Sequence, residues 1–123
     1  MTFKICRRCG NLVGMIRDSG ADMTCCGEKM ETLTANTVDA SNEKHVPVVS
    51  VADGKVSVKV GAVTHPMLPE HFIGWVALQT DSGMHRKVLN AGDAPEAVFV
   101  LGDEKPVAVY AYCNLHGLWK TDL

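Results

Sequence analysis

Residues 48–60 read VVSVADGKVSVKV, and this stretch decides the fold. Valine alternates with polar residues on both sides of Asp53-Gly54. Period-two alternation marks a strand with one buried face, and an Asp-Gly pair between two such runs marks a tight hairpin. Outward from it, GWVALQT (74–80), HRKVLN (85–90), AVFVL (97–101) and VAVYAYC (107–113) follow as short strands at fairly even spacing. Counted with the linker region before them, they make about seven strands, enough for a small antiparallel sandwich or barrel. No stretch carries the period of an amphipathic helix. Upstream, ANTVDASNE (35–43) is polar and turn-rich and reads as a linker, while FKICR (3–7) and NLVGMI (11–16) read as short strands.

The bulk numbers exclude several classes. The chain has 123 residues, 46% hydrophobic and 21% charged, the composition of a soluble globular protein. No apolar run approaches the ~18 residues that a membrane span needs. A net charge of −2 gives no global basic field for nucleic acid or an anionic membrane. The start, MTFKICRRCG, has charges but no apolar core of a secretory leader. Five cysteines in such a chain point to a reducing, cytoplasmic setting, where motif-spaced cysteines are more often ligands than disulfides.

Four of the cysteines lie close together. Cys6-Arg7-Arg8-Cys9 is a C-x-x-C knuckle, and Cys25-Cys26 are adjacent. A knuckle sets two sulfurs on one side of an ion, and the second pair closes the tetrahedron; such sites suit zinc or iron. A piece of about 36 residues falls below the size that folds on its core alone. Its apolar side chains (Ile5, Leu12, Val13, Ile16, Leu33) are few, whereas a structural metal supplies apparent stabilisation on the order of 10–16 kcal/mol.

The fifth cysteine, Cys113, has His116 three residues on, where the last expected strand ends. His45 begins the β-region, and His65 and His71 frame HPMLPEH, whose prolines forbid regular structure. Four imidazoles and one thiolate overfill a tetrahedral zinc site and suit a square-pyramidal iron with its sixth position open. A thiolate opposite that position pushes electron density toward whatever binds there. His85, beside Arg86 and Lys87, reads as a solvated strand or turn residue. Blue-copper sites also join Cys and His on one loop, but no Met follows His116 and the upstream histidines are too numerous.

Together CRRC…CC, EKHVP, HPM…EHFIGW and YCNLHGLWK resemble desulfoferrodoxin, the two-iron form of superoxide reductase. The resemblance covers nearly the whole chain. It implies an all-β protein: a small rubredoxin-like knot over residues 1–36, then an immunoglobulin-like antiparallel β-sandwich over residues 37–123. It implies two iron ions per chain. Cys6, Cys9, Cys25 and Cys26 would hold the first. His45, His65, His71 and His116 would be equatorial to the second, with Cys113 axial; His116 would bind through Nδ1 and the other three through Nε2. Lys44 would attract superoxide, and Glu43 would cap the oxidised centre. The implied reaction is one-electron reduction of superoxide to hydrogen peroxide, with a rubredoxin-like donor and a homodimeric assembly.

Rival functions remain at this point. A zinc ribbon on a β-sandwich predicts a colourless binding module. An iron or copper electron carrier predicts a saturated metal that ignores azide. A zinc hydrolase needs three protein ligands plus water. Trp75 and Trp119 read as core or site-wall residues.

Overall fold

Met1–Thr34 and Ala35–Leu123 are two compact units in the computed structural model, which describes residues 1–123. In the first, β1 (Thr2–Ile5) lies between β2 (Leu12–Met15) and a two-residue β5 (Glu31–Thr32). β3 (Thr24–Cys25) and β4 (Glu28–Lys29) make a minimal hairpin. Only Phe3, Ile5, Cys6 and Met30 supply buried apolar side chains, and Ile16 is fully exposed. Its ion pairs, Arg7–Glu31, Arg8–Glu28 and Lys29–Asp22, are exposed and contribute about 0–1 kcal/mol each.

The second unit begins with a single helical turn, α1 (Asn42–His45), and continues with β6 (Pro47–Ala52) and β7 (Lys55–Val60). It then runs through β8 (Ile73–Thr80), β9 (Met84–Val88), β10 (Glu96–Val100), β11 (Pro106–Cys113) and β12 (Gly117–Asp122). The expected hairpin is present: Asp53 and Gly54 both have positive φ, 53° and 70°, as a type I′ turn requires. β10, β7 and β6 form one sheet, and β12, β11, β8 and β9 form the other; every pairing is antiparallel. Alternate residues of both sheets meet in one core, including Val56, Val58, Val60, Ile73, Val76, Leu78, Phe99, Val109 and Cys113. Each fully buried aliphatic side chain there contributes about 1.5–3 kcal/mol.

Two details differ from expectation. The seventh strand is not in the linker region but is Gly117–Asp122, beyond His116. Its alternation is short and starts at a glycine with φ 77°, so the break after Cys113 hides the chain's return alongside β11. The linker itself ends in α1, one turn too short to carry a helical period. No helix is long and apolar enough to cross a membrane.

Register explains why one end of the sandwich gathers chemistry. Pro47 lies opposite Val60, and Cys113 lies opposite both Ile73 and Gly117. The starts of β6, β8 and β12 and the ends of β7 and β11 therefore share one end. His45, His65, His71, Cys113 and His116 all sit at or just beyond these termini.

Candidate metal centres

The four sulfurs of the first unit come together. Sγ of Cys9 is 3.6 Å from Sγ of Cys25, which is 3.9 Å from Sγ of Cys26. A tetrahedron with metal–sulfur bonds near 2.3 Å has edges of about 3.8 Å. The adjacent cysteines diverge because Cys26 takes a left-handed φ of 54°, followed by Gly27 at 74°. Backbone amides of Cys9 and Asn11 donate to the sulfurs of Cys6 and Cys9, and Nδ2 of Asn11 donates to Cys25. These bonds favour thiolate, but only up to a point. The Cys9 amide brings the Cys6 pKa down to about 7, while the neighbouring Cys9 sulfur pushes Cys26 up to about 12. A cluster that ionises its first thiol easily and its last one hardly at all needs a cation to hold four negative sulfurs. The donor set fits a thiophilic metal.

In the second unit the donor atoms of His45, His65, His71 and Cys113 lie within 4.8 Å of one another. His116 adjoins them: its Nδ1 is 3.1 Å from Nε2 of His45 and 3.8 Å from Sγ of Cys113. Nε2 of His65 is 3.2 Å from Nε2 of His45. The rings run in the cyclic order His45, His65, His71, His116, with neighbouring planes crossed at 74°, 81°, 81° and 86° and centroids 4.7–5.1 Å apart. His45 and His71 stand across the ring at 6.3 Å. A ring with a longer diagonal is the pattern of a square rather than a tetrahedron.

Fixed groups orient these rings from behind. Nδ1 of His45 and of His65 are each 2.7 Å from a carbonyl oxygen, of Ser41 and Pro66 respectively, so Nε2 is left facing the cluster. The indole of Trp119 stacks on His45 at 4.8 Å and donates from Nε1 to the His116 carbonyl. Trp119 is fully buried and forms a wall of the site. Burial lowers the pKa values of His45 and His71 and takes His65 down to about 4, keeping these imidazoles neutral at pH 7 as metal ligation requires. Burial pushes the Cys113 thiol up, opposed by hydrogen bonds from the backbone of His116 and Leu115. Nε2 of His71 is buried without a partner. An orphaned acceptor among neutral imidazoles and a desolvated sulfur is what a bound cation would complete.

Glu43 and Lys44 precede His45 in α1, and both are exposed. No salt bridge joins them. The Ser41 hydroxyl holds the Glu43 carboxyl below the usual range. The Lys44 charge helps disfavour protonation of His45 and His71, so its field reaches the cluster. Sequence reasoning missed what seats this turn. A Cβ on Gly61 would lie 2.6 Å from the Glu43 carbonyl oxygen and 2.8 Å from the Lys44 carbonyl carbon. The Val63 amide donates to that same Glu43 oxygen at 2.8 Å. Only a glycine lets the end of β7 press against α1, and a lone glycine after a strand carries no signal of this. His85 is on β9 with Nε2 2.9 Å from Glu104, away from the cluster.

Fold and site define a small all-β metalloprotein with a four-cysteine centre and a histidine–cysteine centre. Residues 37–122 match the family model for desulfoferrodoxin. Over 117 residues the chain is 45% identical to the desulfoferrodoxin of Desulfarculus baarsii, covering 95% of this chain and 92% of that one. It is 34% identical to the superoxide reductase of Thermococcus kodakarensis, covering 76% of this chain and 97% of that one. The crystal structure of the superoxide reductase from Treponema pallidum superposes with a TM-score of 0.82, at 41% identity and 98% coverage of each chain. The chain belongs to the desulfoferrodoxin family.

Proposed function

We propose that the chain is a superoxide reductase: superoxide takes up one electron and two protons to give hydrogen peroxide. The observation that supports this most is the ring of four imidazoles with the Cys113 sulfur beside it at one end of the sandwich. In this reading residues 37–123 are the reductase domain, and His45, His65, His71, His116 and Cys113 would hold an iron. Residues 1–36 are an iron domain, with Cys6, Cys9, Cys25 and Cys26 as ligands. Iron at the histidine–cysteine centre would supply the electron that superoxide accepts.

The chain's own residues do the rest. Lys44, an exposed cation beside the cluster in a protein of net charge −2, draws the anion in by its local field. Its Nζ donates a hydrogen bond to the arriving oxygen and orders the water that delivers protons. Cys113, desolvated and fixed by backbone donors, directs charge across the site. Glu43, its carboxyl held below the usual range by the Ser41 hydroxyl, would offer a carboxylate to the iron once that iron is oxidised. A rubredoxin-like carrier restores the reduced state, the protein works in a reducing cytoplasm, and it assembles as a homodimer.

The deciding experiment is metal analysis with optical spectra in both oxidation states, followed by rapid mixing with superoxide. Two irons, two separable chromophores and reoxidation of only the histidine–cysteine centre by superoxide are expected. One colourless zinc, or no reaction with superoxide, would sink this function.

A further inference from the structure

We propose that Asn114 is a positioning residue for His71, clamping the loop that carries this ligand to the turn that carries Cys113 and His116. Oδ1 of Asn114 accepts from the Phe72 amide at 2.9 Å, and Nδ2 donates to the Glu70 carbonyl at 3.0 Å. One carboxamide thus grips the backbone on both sides of His71. The Asn114 amide adds a bond to the Phe72 carbonyl at 3.2 Å.

His71 is the ring that needs this. His45 and His65 are oriented through their outer nitrogens by carbonyls of Ser41 and Pro66. His45 also stacks on Trp119. His71 has no carbonyl behind its ring, and its Nε2 is buried without a partner. The loop around it is short and held locally by the reciprocal backbone bonds of Leu68 and His71. The Asn114 carboxamide adds to the pairing of Ile73 with Cys113 in fixing this loop against Cys113 and His116. Asn114 is itself exposed, so deleting its side chain leaves no hole in the core.

This inference rests on His71 being a metal ligand. Groups that orient ligands typically contribute about 10–100-fold in metal affinity. The test uses the full chain, stripped of metal, titrated with cobalt(II) against a competing chelator. Cobalt at the two centres is distinguished by its absorption. Asn114→Ala is compared with His71→Ala and with the double variant. Asn114→Asp, which keeps the acceptor for Phe72, replaces the alanine variant if that one does not fold. The expected result is a loss of about tenfold or more at the histidine–cysteine centre, no change at the four-cysteine centre, and no further loss when His71 is already alanine. A folded Asn114 variant with unchanged affinity, or an equal loss in the His71→Ala background, overturns the clamp. If His71→Ala alone changes nothing, the ligand assignment falls and the clamp with it.

Discussion

The two units solve opposite problems. In Met1–Thr34 little besides the four-cysteine cluster is available to hold the fold: the unit has four buried apolar side chains, three of its five strands are two residues long, and two of its four cysteines are exposed. In Ala35–Leu123 the fold holds the metal site: a two-sheet core fixes strand ends, and His45, His65 and Cys113 are nearly sealed from solvent.

The sharpest way to break this contrast is to remove the metals. Chelation should release amide protection across β1 and β2 while β8 and β11 keep theirs, because the first unit loses stabilisation on the order of 10–16 kcal/mol and the second keeps its core. Hydrogen exchange reads this directly, and equal loss in both units would refute the contrast. A smaller effect is expected from Gly61→Ala. Its methyl meets the Glu43 and Lys44 backbone, so the second unit should lose about 1–3 kcal/mol in urea unfolding. The histidine–cysteine centre should bind cobalt more weakly because α1 shifts; unaltered affinity would show that the turn tolerates displacement.

Lys44→Ala should slow the reaction with superoxide by roughly tenfold at low salt and flatten its dependence on ionic strength. An unchanged salt profile in stopped-flow would remove the steering role. The smallest effect concerns the sandwich away from the site. His85 holds the Glu104 carboxyl below its usual pKa. A depressed carboxyl contributes stability that is present above pH 4.5 and is lost as pH falls through its folded value. Glu104→Gln should therefore remove a small acid limb from the stability–pH curve of the intact protein without altering either centre's spectrum.

Much of this was legible in the sequence. The hairpin at Asp53-Gly54 could be read because alternation and turn chemistry agree there. The C-x-x-C knuckle and the Cys113/His116 pair could be read because ligand chemistry restricts residue type and spacing. What stayed hidden depends on contacts between distant segments. β12 follows a turn that looked like the end of the sheet, and α1 is too short to show a period. Gly61 matters only because α1 presses on it, and Asn114 only because residues 70–72 lie beside it. Ser41 and Pro66 act through backbone carbonyls, which side-chain identity does not disclose.

The Asp53-Gly54 turn has a practical consequence. β6 and β7 run from the imidazole end to this tip, and six residues of strand span roughly 20 Å. The turn is exposed, and its geometry is carried by two residues. Exposed tips of this kind tolerate insertions best. A short tether placed there would mount the protein on an electrode with its reactive end facing outward, so that current could be recorded without crowding the substrate's approach.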